Sequence, residues 1–241
     1  MISQDVTTAR SYAKRLEQSN SDLRDFAYVA SHDMKAPLRA IIGLAELLSE
    51  NIGANLDQEN EKYLQTIVKR SRKLSEFLNG LLSYSVVGEL NTERTAVDLD
   101  RLIADIFTDV SGEKKFKIKK DKLPTIYANP VLVEQVLRNL ISNAVSFTPN
   151  SGLIQVRKIE GNPLIIDIID SGPGIPKKLQ SKVFDLFQSF SSGDSKGGTG
   201  LGLAIAKKAA FSLGGSLHLQ SQPGNGAKFR FKLPHMKKGI H

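Results

Sequence analysis

Apolar and small residues recur at Leu23, Ala27, Ala30, Met34, Pro37, Ile41, Leu44 and Leu48, in steps that alternate between four and three. That spacing is the seam of a bundled helix. It predicts a helix from Asp5 to about Asn51, about 70 Å long at 1.5 Å per residue. Gly53-Ala54-Asn55 ends it, and Asp57 is placed to cap a second helix that runs to about Val87. Leu64, Ile67, Ser71, Leu74, Leu78 and Leu81 form the second seam. Two helices joined by a short turn make an antiparallel hairpin. A lone hairpin leaves the flanks of its apolar stripe open, so two copies are expected to pair as a four-helix homodimer. His32 precedes the seam position Met34 by two residues, which places it on the outer face, and Pro37 bends the helix beside it.

The pattern changes after a polar, glycine-containing stretch from Gly88 to Arg94, which reads as a linker. Val97-Asp98-Leu99 predicts a short strand, with Asp98 capping a helix through Val110. Lys114 to Lys120 alternates apolar and basic residues, as an exposed strand does. Val131 to Phe147 predicts a helix with Val133, Val136, Leu137, Leu140, Ile141 and Ala144 on its apolar face. Leu164 to Ile169 is a buried strand. A helix is expected from Lys177 to Phe187, with Phe184 and Phe187 one turn apart, then a flexible Ser/Gly-rich segment, Gln188 to Gly197, with the makings of a lid. A further helix runs from about Leu201 to Leu213. Ser216 to Gln220 and Ala227 to Leu233 close the chain as a hairpin around Pro223-Gly224-Asn225-Gly226. The fold class is therefore multidomain, α and α/β: a helical hairpin at 1–88, a hinge at 89–96 and an α/β domain at 97–236.

Composition narrows the field. The 241 residues suffice for one large or two ordinary domains. Apolar runs are too short to span a bilayer, and Met1-Ile2-Ser3-Gln4-Asp5 does not open a secretory signal. The chain has no Cys, which removes disulfides, thiolate metal sites and a Cys nucleophile. The net charge of +8 is uneven: residues 1–88 hold 11 basic and 11 acidic residues, and residues 89–241 hold 22 and 14. The second part therefore favours an anionic partner, a nucleotide or nucleic acid. The lysine run from 114 to 122 lacks interleaved aromatic residues for base stacking, which argues for a solvated strand face over a nucleic-acid site.

Several residue sets in the second part suit a nucleotide. Asn139 and Asn143 lie four apart on one helix face, where their side-chain oxygens could hold a hydrated Mg²⁺. Asp170 ends a buried strand, where it can accept a hydrogen bond from an exocyclic amine such as that of adenine. Asp170-Ser171-Gly172-Pro173-Gly174-Ile175 allows a tight turn and close backbone approach to a flat ligand. Gly198-Thr199-Gly200-Leu201-Gly202-Leu203 opens a helix, where exposed amides and the helix dipole attract an anion. It is neither a Walker loop, lacking a G-K-[ST] ending, nor a Rossmann turn, since no strand leads into it.

In order and spacing these pieces resemble a sensor histidine kinase of two-component signalling, nearest to the phytochrome-like subgroup, over about residues 20 to 234. Ser31-His32-Asp33-Met34-Lys35-Ala36-Pro37-Leu38-Arg39 is similar to the family's H box. Asn139 to Asn143 with Phe147-Thr148-Pro149 resembles its N box, and Asp170 to Gly174 its first glycine box. Phe184 and Phe187 resemble the F box, and Gly198 to Gly202 the second glycine box. The resemblance implies a dimerisation and phosphotransfer hairpin followed by a GHKL-type ATP-binding sandwich. It implies His32 as phosphoacceptor, Asp33 as its acidic neighbour and Asn143 as the Mg²⁺ ligand, with Asn139 beside the phosphates. Asp170 would contact adenine. Gly172, Gly174, Phe187, Gly198, Thr199, Gly200, Leu201 and Gly202 would border ATP. The Mg²⁺, the helix terminus and the basic domain would offset phosphate charge. Implied partners are a second copy, a response regulator receiver domain and an upstream sensor module reached through Thr7 to Ser21. Nucleic acid and direct membrane insertion are not implied, and a cytoplasmic location is. Ala36 stands where many relatives carry Thr or Asn, which argues against phosphatase activity. Ser146 replaces a common basic residue, and Asn129 a frequent Asp. No sensor or receiver domain is expected within the chain.

Two other readings compete. A GHKL ATPase using ATP as a conformational switch shares the pocket but not the H box, and no helical Glu base precedes Asp170. A dimeric scaffold or basic nucleic-acid binder would show no Mg²⁺-dependent nucleotide affinity.

Overall fold

The structure, a computed structural model, describes residues 28–31, 33–51, 56–87, 93–112, 114–188 and 199–234. The chain divides into two compact units, Met1–Val86 and Val87–His241. His32, Gly198, most of the predicted linker, nearly all of the lid segment and the coiled stretch Thr7 to Ser21 lie outside the described residues.

The first unit is helical. Residues 28–31 and 33–51 form α1, and α2 is Gln58–Val86. Asp57 caps α2: the Asn60 amide donates to Asp57 Oδ1 at 2.7 Å. Arg72 reaches Glu46 at 2.5 Å and ties α2 to α1. The rows that the chain buries by itself are Ser31, Leu38 and Ala45 on α1, and Ser71, Leu78 and Ser85 on α2, each at seven-residue spacing. The single chain covers the predicted seams only in part. Ser71 and Leu78 are buried as expected, but Met34, Ile41, Leu44, Leu48, Ile67 and Leu74 are exposed. Adjacent heptad rows carry the same period, so spacing alone does not say which row the chain covers. Small residues at 31, 45, 71 and 85 permit close packing and decide it.

The second unit stacks helices on one face of a sheet. β1 (Thr95–Asp98) pairs antiparallel with β3 (Thr125–Ala128). The larger sheet has the order β2-β4-β5-β7-β6, from Lys117–Lys120, Leu153–Ile159, Leu164–Asp170, Ala227–Leu233 and Ser216–Ser221. β2 runs parallel to β4, and the remaining pairs are antiparallel. The helices are α3 (Leu99–Ser111), α4 (Pro130–Phe147), α5 (Lys177–Gln180) and α6 (Gly202–Ser212). Alternation fixes the faces. Ile166 and Ile168 on β5 and Phe229 and Phe231 on β7 are fully buried or nearly so, in register, on the helix side. With Val133, Val136, Leu137, Leu140 and Ile141 of α4 they form the core.

One predicted helix is cut short. α5 ends at Gln180, and the chain continues in three-residue turns, in which the Lys182 amide donates to Leu179 O and the Asp185 amide to Lys182 O. Phe187 has φ +65°, a left-handed conformation that no helix accepts. Phe184 turns inward and meets Phe229 edge-on, with ring centroids 6.4 Å apart, while Phe187 is exposed. The two aromatics do not act as one pair.

Candidate nucleotide site

α4 carries the asparagines and is fixed at both ends. Asn129 Oδ1 accepts from the Val131 and Leu132 amides at 3.0 and 3.2 Å, and Pro130 supplies a preset first turn. At the other end Lys114 Nζ donates to the Val145 and Ser146 carbonyls at 2.6 and 3.0 Å. Asn139 and Asn143 sit half-buried at the edge of the apolar stripe. The Asn139 amide nitrogen donates to Gln135 O at 2.7 Å, which leaves its Oδ1 facing α6. A methyl group on Gly202 would lie 2.8 Å from that oxygen. The asparagine helix and the glycine turn, with Asn139 and Gly202 63 positions apart in the chain, therefore meet at one place.

That turn is built from backbone. Gly200 has φ +72°, and a Cβ there would strike the backbone of Phe187 and Gln188 at 2.8 Å. Leu201 is fully buried, so its side chain belongs to the core and only its backbone is offered to a ligand. α6 begins without a side-chain cap, which leaves its first amides open to an anion. Thr199 is half-exposed beside them.

Asp170 closes β5 on the helix side and is 5% exposed. Its Oδ1 accepts from the Gly172 amide at 2.9 Å and the Ala227 amide at 3.2 Å. Its Oδ2 accepts no hydrogen bond from the described residues. Burial raises the pKa of this carboxyl above the usual range, against the opposing pull of those two amides. Gly172 packs so closely that a Cβ would lie 2.8 Å from Asp170 Oδ1 and 2.9 Å from Phe147 O. Gly174 has φ +71°, with Gln222 O only 2.0 Å from the place of a Cβ. The loop is thus pressed against the β6–β7 turn. Ser221 Oγ takes the Ile175 amide at 2.9 Å and donates to Gly226 O at 2.6 Å, and Gln180 Nε2 bonds both Ile175 O and Ser221 O. This buttress was not legible from the sequence, where Pro223 to Gly226 reads only as a hairpin turn. The signal was Gly226, which at φ +72° would place a Cβ 1.9 Å from Asp170 O.

Two family patterns match the chain. Residues 22–88 match the His Kinase A (phospho-acceptor) domain, and residues 128–237 match the histidine kinase-, DNA gyrase B- and HSP90-like ATPase. The chain carries the catalytic core of a sensor histidine kinase. It is 32% identical over 226 residues to cyanobacterial phytochrome B of Nostoc, covering 90% of this chain and 30% of that protein. It is 30% identical over 245 residues to the aerobic respiration control sensor protein ArcB of Escherichia coli K12, covering 95% and 31%. Among solved structures, full-length ShkA in complex with AMPPNP superposes with TM-score 0.66 at 26% identity, covering 90% of this chain and 47% of ShkA. This core thus spans about a third of the length of these curated relatives.

Within the kinase core, His32 and Asp33 fall in the phospho-acceptor match, and Asn139, Asn143, Asp170 and the described glycines fall in the ATPase match. Asp33 is exposed on α1. Among the described residues no helix is long and apolar enough to cross a membrane, and no cluster of three His, Asp or Glu side chains could hold a metal ion. The basic excess is not gathered at the nucleotide face, contrary to expectation. By strand alternation Lys117, Lys119, Arg157, Lys228, Arg230 and Lys232 project from the opposite face of the sheet. The charge count located the excess in the second unit but could not tell one sheet face from the other.

Proposed function

We propose that this chain uses ATP to phosphorylate its own His32 and passes the phosphoryl group to an aspartate of a response regulator. One observation carries the reading. A phospho-acceptor domain that includes His32 shares a chain with an ATPase domain in which Asn139, Gly202 and the Asp170 loop are assembled.

Asp170 Oδ2 is the acceptor for the adenine amine, while Gly172 and Ala227 hold the other oxygen in place. Gly172 and Gly174 keep the adenine end clear of side chains. Gly198, Thr199, Gly200, Leu201 and Gly202 present backbone amides to the triphosphate. Asn139 would lie beside the phosphates, and Asn143 would hold the Mg²⁺. A half-buried amide oxygen with no carboxylate cluster suits a Mg²⁺ that arrives on the nucleotide and keeps most of its waters. That ion would neutralise phosphate charge. Neutral imidazole is available near pH 7. A His32 ring nitrogen attacks the γ-phosphorus as the bond to the β–γ bridging oxygen breaks, and ADP leaves. Asp33 orients the ring and takes its proton. Positioning supplies most of the rate. Phe187, exposed at the start of the lid segment, would close over the nucleotide.

His32 and the pocket fall in separate units, so transfer requires the two to meet, and the hinge expected at 89–96 would allow it. The unit of function is a homodimer in the cytoplasm, fed by an upstream sensor module. Incubation with γ-labelled ATP tests the reading. Acid-labile, alkali-stable label that disappears in His32→Gln is expected. Free phosphate with no labelled protein would leave an ATPase instead.

A further inference from the structure

The open face of the five-stranded sheet carries a pattern that nucleotide chemistry does not explain. Its central row runs Arg157, Asp167, Arg230, His218 across four strands in register. Arg230 donates to both Asp167 oxygens at 2.8 and 2.7 Å, so the acid in the central row is already neutralised. The flanking rows are Lys119, Gln155, Ile169, Lys228 and Ile159, Ile165, Lys232. Lys119, Lys228 and Lys232 make no ion pair with a described residue. Ile159, Ile165 and Ile169 stay half-exposed between the cations. A sheet face left to water usually alternates to polar side chains, and three half-exposed isoleucines among cations depart from that pattern.

We propose that this face docks an acidic partner protein, whose apolar residues cover the three isoleucines and whose carboxylates meet the lysines around them. The isoleucines stand in the rows on either side of the charged central row, so apolar and cationic contacts are interleaved across the face. Phosphate backbones would use the cations but not the isoleucines, and no aromatic side chain stands on the face for base stacking. A second copy of the same face repels this one. The acids of α3 are not free to dock from another copy, because Asp100, Asp105 and Asp109 are paired to Lys120, Arg101 and Arg138. Strand spacing near 4.8 Å makes the face roughly 20 Å across, or about 400 Å². That is about half the usual share per partner, so the complex is transient.

Fluorescence anisotropy of the whole chain with a labelled peptide alternating Glu and Val tests this. Binding should weaken at least about tenfold in Lys119→Glu/Lys228→Glu/Lys232→Glu, and at least about threefold in the milder Lys→Gln triple, with an unchanged thermal midpoint. A Lys177→Glu/Lys178→Glu control on the other side should bind as the parent does. A peptide of the same charge without Val should bind several-fold more weakly, and raised salt should loosen both. Equal binding by the triple variants, or by the Val-free peptide, overturns the proposal. So does a duplex DNA or phosphatidylserine vesicle that binds this face more tightly than the peptide.

Discussion

Asp170 is asked to be buried and to accept a proton donor, and these demands oppose each other. Burial raises its pKa, and two backbone amides only partly restore the charged form. The sign for binding follows. As pH falls, Asp170 protonates sooner than an exposed aspartate near 3.9, and the neutral acid is a poorer acceptor for an amine. ATP affinity measured by calorimetry should therefore fall as the pH is lowered, beginning at a higher pH than an ordinary carboxylate would allow. Asp170→Asn should lower affinity at least about tenfold and flatten that dependence. Two glycines separate site from scaffold. Gly202→Ala forces a methyl onto Asn139 Oδ1, the end of a side chain that can shift, so ATP affinity should drop while the thermal midpoint holds. Gly174→Ala combines φ +71° with a backbone oxygen 2.0 Å away, and should cost about 3 kcal/mol or more in urea unfolding.

At the scale of elements, α4 and the β5–β7 pair hold the site in place. Asn129 gives α4 the same amide acceptor that Asp would, which accounts for the tolerance of Asn there. Asn129→Ala should cost about 1 kcal/mol in chemical denaturation. Asp167 is 5% exposed and its partner Arg230 27%, so Arg230→Met strands a buried carboxylate and should cost about 3 kcal/mol. What the sequence made legible was whatever local chemistry decides. The Asp57 and Asp98 caps, α4 with its two asparagines, and the buried strand ending at Asp170 all form as predicted. What it hid depends on tertiary choice. Phe187 reads as helical by spacing, but its backbone is left-handed. The Asp167–Arg230 pair needs a strand register spanning 63 residues. The clamp of the β6–β7 turn on Asp170 likewise arises only when distant backbones touch.

At the scale of the whole molecule, the first unit carries apolar rows that the single chain does not cover. Met34, Ile41, Leu44 and Leu48 on α1, with Ile67 and Leu74 on α2, recur at helical spacing and remain exposed. A stripe of that length is unfavourable in water at about 25 cal/mol per Å² of apolar surface. Isologous pairing would bury it twice over, once for each copy. The proposed dimer thus has its driving force on the rows that the intrachain contact leaves over. Ile41→Asp/Leu44→Asp should shift the sedimenting species towards the monomer and make the unfolding midpoint of unit 1 independent of concentration. The same symmetry gives a functional readout. His32→Gln retains a nucleotide site, and Asn143→Ala retains a phosphoacceptor. Neither should label alone, and a mixture that exchanges subunits should label on the Asn143→Ala chain if each pocket serves the partner's histidine. No label in a mixture whose subunits have exchanged would instead place transfer within one chain. Loss of complementation on adding Ile41→Asp/Leu44→Asp to both variants would tie the chemistry to the exposed rows.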